Sequence, residues 1–231
     1  MASVIEYRRP DGSMCPGYLA EPQAVDDAPG VVLIQEWWGL NRQIKKTAER
    51  FAQLGYRALV PDLFRGKVAK DADEASHLMS GLNFLEAAQQ DVQGAVTYLK
   101  ARSKKCGVAG FCMGGALTLV SGGYVPGLDA GVVFYGIPPK EAVDPSTLSL
   151  PLQLHFAEND DWCTPERVNG LEEELKRSKS PFELYRYEGA QHAFMNEARP
   201  EVFEPKSARL AWDRTQAFFK RLLQPEAPIS S

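Results

Sequence analysis

The chain has 231 residues, 44% of them hydrophobic, and carries a formal net charge of −4 from 26 basic and 30 acidic side chains. That length fits one domain able to bury its own core. With no basic stripe, and no apolar run near the roughly 18 residues of a membrane span, nucleic acid and membrane are excluded as partners.

In chain order, "VIEYRR" and "CPGYLA" flank Pro10-Asp11-Gly12-Ser13 and predict a β-hairpin. "VVLIQE" (31–36) reads as a buried strand. The next segment is a helix with Ile44, Ala48, Phe51 and Leu54 on one face, Asn41 to cap its start and Gly55 to end it. "RALVP" (57–61) is a further strand, and residues 64–82 read as irregular and polar. An amphipathic helix is expected over 84–101, with Leu85, Ala88, Val92, Val96 and Leu99 inward. "CGVAGF" reads as a strand and "MGGALTLVSGG" as a helix apolar on most sides. "AGVVFYG", "LQLHFA" and "FELYRYEG" are three more strands. Thr164-Pro165-Glu166 opens a helix, and "EPKSARLAWDRTQAFFKRLL" is the last one. This alternation predicts an α/β fold with a mostly parallel sheet of about eight strands and helices on both faces. One domain is expected over 1–224, with a frayed tail at 225–231.

Gly110-Phe111-Cys112-Met113-Gly114 matches the G-x-S-x-G nucleophile elbow with cysteine at the centre. A strand that turns sharply into a helix leaves no room for side chains at the flanking positions. It also aims the central residue at the helix N-terminus, whose N–H groups favour a thiolate. A buried cysteine in a tight turn is the plainer alternative.

A thiol nucleophile needs a base, and the base needs an orienting group. Among the three histidines, His77 reads as a surface or half-buried helix residue and His155 as a hydrogen-bonded core residue. His192 sits in a loop after the last strand, where the chemistry of open α/β sheets gathers. Asp160 and Asp161 both come after a strand and are both candidates for the acid, although "NDD" would also serve as a turn. Nucleophile, acid, histidine is the chain order of α/β-hydrolases. The N–H groups of Trp37 and Met113 are placed to receive an oxyanion. Glu36, at the end of a buried strand, needs a partner: a salt bridge or the thiol.

The four cysteines (15, 106, 112, 163) form no CxxC pair and no metal-like spacing. "MASVIEYRRPDG" lacks the apolar stretch of a signal peptide, so a cytoplasmic protein with reduced thiols is expected. Cys15, Cys106 and Cys163 read as structural thiols, of which Cys163 lies near enough to Asp160 to line a pocket.

"QEWWG", "VPDLF", "GFCMGGAL", "FAENDD" and "EGAQHAF" together resemble the dienelactone hydrolase (carboxymethylenebutenolidase) family over nearly the whole chain. The resemblance implies an α/β-hydrolase fold and a cysteine hydrolase of a small ester or lactone. Cys112 would be the nucleophile, His192 the base, Asp160 its orienter, and Glu36 the carboxylate paired with the resting thiol. The family's substrate-carboxylate arginines have no match: Asn196 stands four residues after the histidine, and residues 68–78 hold no arginine. Arg65 and Lys67 are the basic residues nearby, of which Arg65 is taken as the replacement, and Trp38, Ala193 and Asn196 complete the expected substrate contacts. Residues 136–151 leave no room for a large cap domain, so 64–82 is the expected pocket wall. No cofactor and no metal are expected. A monomer or small homo-oligomer is anticipated. A non-catalytic ligand-binding or thiol-sensing protein, or a thioesterase or acyltransferase on the same site, are the competing readings.

Overall fold

A computed structural model describes residues 1–23 and 26–224, so the tail expected at 225–231 lies outside the described residues. Eight strands form one sheet: β1 (Ala2–Arg8), β2 (Met14–Ala20), β3 (Gly30–Ile34), β4 (Arg57–Pro61), β5 (Cys106–Phe111), β6 (Ala130–Phe134), β7 (Leu152–Asn159) and β8 (Phe182–Gln191). Their order is β1-β2-β4-β3-β5-β6-β7-β8. The hairpin β1–β2 and the pair β2–β4 are antiparallel, and every other pairing is parallel. The parallel strands β3 to β6 are buried along their whole length, which is why they read as continuous apolar runs without alternation.

The helices are α1 (Arg42–Gln53), α2 (Ala72–Ser80), α3 (Phe84–Glu86), α4 (Gln93–Lys100), α5 (Met113–Tyr124), α6 (Pro165–Arg177) and α7 (Pro205–Leu223). Side chains of α1 and α7, such as Ile44, Phe51, Trp212 and Phe219, pack on one face of the sheet. Val96 and Leu99 of α4, Leu117 of α5 and Leu171 of α6 pack on the other. Burying a side chain the size of Phe51 stabilises such a core by roughly 2–3 kcal/mol. The start of α1 is set by Asn41, whose side chain accepts the Ile44 N–H, and that of α6 by Thr164, which accepts the Arg167 N–H.

Two expectations need correction. Residues 64–82 are not irregular throughout: α2 forms there, capped by Asp71, whose side chain accepts the Glu74 N–H. Its sparse apolar pattern, with Ala75 alone buried, hid it. The helix expected over 84–101 contains a π-helical stretch, Ala87–Val92, between α3 and α4. A π turn takes up an extra residue, so the helix faces on its two sides are rotated relative to each other. Leu85 is therefore exposed, while Ala87 and Asp91 are buried. Within the π stretch, the Asp91 carbonyl accepts the Tyr7 hydroxyl of β1 at 2.8 Å.

Candidate active site

The carboxyl ends of β3, β5, β7 and β8 open on the same edge of the sheet and deliver Glu36, Cys112, Asp160 and His192. Cys112 joins β5 to α5 with φ 56° and ψ −117°, a conformation few side chains adopt. The turn is held by the Cys112 N–H on the Phe134 carbonyl and by the Ala116 N–H on the Cys112 carbonyl. A Cβ on Gly110 would collide with the Gly114 carbonyl, and one on Gly114 with the Ile34 carbonyl. Glycine at both positions is thus a requirement of backbone approach.

Cys112 Sγ lies 3.2 Å from His192 Nε2, and His192 Nδ1 lies 2.8 Å from Asp160 Oδ2. The other carboxylate oxygen, Oδ1, accepts the Trp162 and Cys163 N–H groups, both at 2.8 Å. Asp160 is buried and Asp161 is exposed, which separates the two candidates. Burial works against the charged Asp160, but the hydrogen bond and charge of His192 outweigh it and hold its pKa below the usual carboxylate value. For His192, burial opposes protonation. The hydrogen bonds to Asp160 and Cys112 win and carry its pKa up to about 10. The structure therefore forms a continuous thiol–imidazole–carboxylate chain.

Glu36 is adjacent, but its oxygens are taken by other partners. The Tyr135 hydroxyl donates to Oε1 at 3.2 Å, and Asn196 Nδ2 donates to Oε2 at 2.7 Å. Burial is the main cause of its raised pKa, which these two hydrogen bonds only partly offset. Tyr135 was not among the expected site residues. It follows β6 directly with φ 38° and sets its ring edge-on to His192, with centroids 5.2 Å apart. The only hint in the sequence is an aromatic residue at a strand end before Gly136.

Glu36, Cys112, Tyr135 and His192 border a cavity of about 680 Å³, a size suited to a small molecule. Trp37, Trp38, Met113 and Ala193 line it. Trp37 packs edge-on against Trp38 and Trp162, with centroids 5.4 and 5.9 Å apart. Ala193 has φ 66°, which turns the chain immediately after His192. Met113 is the first residue of α5, so its N–H has no acceptor within the helix. Met79 and Ser80 of α2, with Leu82 and Phe84 beyond it, form one wall, so 64–82 does border the pocket.

Two expected substrate contacts fall elsewhere. Arg65 bonds Asp91 Oδ1 at 2.7 Å and the Asp62 carbonyl at 2.6 Å, and it is not part of the cavity wall. Asn196 is 3% exposed and serves Glu36. The cavity instead takes its positive charge from Arg167 and Arg199. Arg199 lies over the Trp38 ring, 5.6 Å from its centroid. Arg167 donates to the Trp162 and Ile137 carbonyls. Neither was legible in the sequence, because Arg199 comes seven positions after His192 and Arg167 sits inside an ordinary helix. Cys163 also lines the cavity, and one donor atom each from Asp160, Cys163 and His192 lie within 4.8 Å of one another. No helix among the described residues is long and apolar enough to cross a membrane.

Comparison with known proteins identifies the family and the fold. The family model described as "Dienelactone hydrolase family" matches residues 15–223. "Protein usf" of Aquifex pyrophilus is 35% identical, over 96% of this chain and all of its own. An Aquifex aeolicus protein provisionally named carboxymethylenebutenolidase is 29% identical over 97% of this chain and 100% of its own. A crystal structure from Klebsiella pneumoniae, provisionally described as a dienelactone hydrolase, superposes with a TM-score of 0.84 at 25% identity. It covers 96% of this chain and 99% of the other. Eight strands in a mostly parallel sheet, an elbow at the end of β5 and a match over most of the chain place this protein in the dienelactone hydrolase family of α/β-hydrolases, as a carboxylic-ester hydrolase.

Proposed function

We propose that the protein cleaves a small ester or lactone through an acyl-enzyme on Cys112. The observation that carries this reading is the chain of contacts from Cys112 Sγ to His192 Nε2 at 3.2 Å and from His192 Nδ1 to Asp160 Oδ2 at 2.8 Å. The sulfur attacks the carbonyl carbon while His192 holds its proton. The oxygen becomes negative and is received by the Met113 and Trp37 N–H groups, with the start of α5 adding favourable potential. His192 passes the proton to the leaving oxygen as the carbonyl reforms. Water, deprotonated by His192, then attacks the thioester and releases the acid and the free thiol. Asp160 keeps the imidazole oriented and stabilises its charged form.

Arg167 and Arg199 at an otherwise largely apolar cavity favour a substrate with a carboxylate beside the scissile bond. The lactone named for the Aquifex aeolicus relative is of that kind, and the Trp37–Trp38–Trp162 wall suits a flat, unsaturated ring. The test is hydrolysis of p-nitrophenyl acetate with intact mass before and after, on the wild type and Cys112→Ala. Turnover with a transient acetyl adduct, both lost in the variant, supports the reading. Equal rates in both proteins reject it.

A further inference from the structure

A second sulfur stands at the site that the chemistry above does not use. Cys163 comes three residues after Asp160, in the turn before α6. It is 3% exposed as a residue yet borders the cavity. We propose that Asp160, Cys163 and His192 form an inhibitory site for a thiophilic divalent cation, of which Zn²⁺ is the natural example.

The donors are of the right kind and already gathered. A carboxylate oxygen, a sulfur and an imidazole nitrogen within 4.8 Å of one another are a zinc-type set. Mg²⁺ and Ca²⁺ prefer oxygen donors alone and are disfavoured by the same set. Zinc bonds of about 2.0–2.2 Å to nitrogen and oxygen and about 2.3 Å to sulfur require Nδ1 and Oδ2 to part from 2.8 Å to about 3.3 Å, with the sulfur closing on both from within 4.8 Å. The turn supports that position: Asp160 Oδ1 accepts the Cys163 N–H at 2.8 Å, which fixes the two residues relative to each other and leaves Oδ2 to His192 Nδ1.

The ion would take the place of the proton that joins Nδ1 to Oδ2. Two protons leave on binding, one from Nδ1 and one from the Cys163 sulfur. The resulting thiolate and the Asp160 carboxylate together neutralise the divalent charge. No electron is transferred. The cavity gives the ion its route in, and a water molecule from it can fill the fourth position.

The same atoms account for the inhibition. With a cation on Nδ1, Nε2 can no longer take up a proton from Cys112 at ordinary cost, and Asp160 is withdrawn from its partner. Among the described residues, Cys15, Cys106 and Cys112 belong to no comparable group of three donors, and Cys15 has Arg65 beside it. The inhibitory half of the proposal rests on the Cys112–His192 chemistry proposed above; the binding half does not.

The experiment separates the two. Protein stripped with a chelator is titrated with Zn²⁺, and with Mg²⁺ as a control, while p-nitrophenyl acetate hydrolysis is monitored. Wild type, Cys163→Ser and Cys163→Ala are each read against their own metal-free rate. In parallel, Cd²⁺ is titrated into Cys112→Ala and into Cys112→Ala/Cys163→Ala, and the sulfur-to-cadmium charge-transfer absorbance is recorded. The expected result is reversible inhibition of the wild type by Zn²⁺ and not by Mg²⁺. Loss of a direct ligand should cost at least as much as loss of a supporting partner, so the inhibition constant should be weaker by at least about 10- to 100-fold once Cys163 is replaced. The cadmium band should appear in Cys112→Ala and vanish in the double variant. Equal Zn²⁺ sensitivity with and without Cys163 overturns the proposal, because the ion would then bind the Cys112–His192 edge. Absence of a Cys163-dependent cadmium band overturns it whether or not the protein turns over an ester.

Discussion

Asn196 Nδ2 donates to Glu36 Oε2 at 2.7 Å across 160 positions of sequence. This contact gives the Glu36 carboxylate one of its two side-chain donors, the other being Tyr135. A buried hydrogen bond to a charged group contributes about 1.5–3 kcal/mol. Asn196→Ala should therefore lower stability by about 2 kcal/mol in urea unfolding. It should also move the Glu36 pKa further up, because the lost contact is one that lowers it. A purely substrate-binding Asn196 would instead raise KM and leave the unfolding midpoint unchanged.

Asp160 holds His192 with one oxygen and its own turn with the other. Asp160→Asn keeps Oδ1 as an acceptor for the Trp162 and Cys163 N–H groups but removes the charge that His192 Nδ1 faces. We expect near-native stability and a loss in kcat of about 10³- to 10⁴-fold. Esterase kinetics beside a thermal melt decide this. A fall in melting temperature large enough to account for the lost rate would contradict it.

Gly114→Ala should be among the most damaging single-atom additions in the chain. The new methyl would lie on the Ile34 carbonyl, and backbone cannot swing aside as a side chain can. The expected cost is above roughly 4 kcal/mol, in the exceptional class for one substitution. Gly55→Ala has nothing within 4 Å and pays only for its φ of +92°, on the order of 1 kcal/mol. Soluble yield and unfolding midpoints of the two variants should differ in that order.

His155 is fully buried, with Nδ1 on the Tyr187 hydroxyl and Nε2 on Gln153 Oε1. Burial, with Arg214 adding to it, pushes its pKa down to about 3. The unfolded chain takes up this proton near pH 6.5 and the folded chain does not. The neutral histidine thus contributes its full stabilisation above that pH. Between pH 6.5 and 3 the folded state loses up to roughly 1.4 kcal/mol per pH unit from this group. His155→Gln should unfold more easily at pH 7 but show a flatter decline towards pH 4. Parallel slopes for the two proteins would show that His155 does not titrate this way.

Arg199 reaches the cavity over Trp38, and its nearest anion, Glu201, is an exposed neighbour. Arg199→Ala should raise KM for a carboxylate-bearing lactone by about tenfold, equivalent to roughly 1.4 kcal/mol. KM for neutral p-nitrophenyl acetate should change little. Equal changes for both substrates would point to lost packing on Trp38 in place of lost charge.

What the sequence determined by itself is what neighbouring residues decide among themselves. The Pro10-Asp11-Gly12-Ser13 turn, the Asn41 and Thr164 caps, and the elbow glycines around Cys112 are short-range requirements. The spacing of residue types states each of them directly. The alternation of apolar runs with amphipathic segments fixed the layers for the same reason. The tertiary structure decided what depends on which distant segments meet. Asp160 is buried beside His192, whereas Asp161 faces solvent. Arg65 is drawn to Asp91 by a π turn that no periodicity announces, and the cavity's positive charge comes from Arg167 and Arg199 on two separate elements. Charged and amide side chains are long and pair with whatever the sheet order brings near. Their partners are properties of the packed chain and are not written in local spacing.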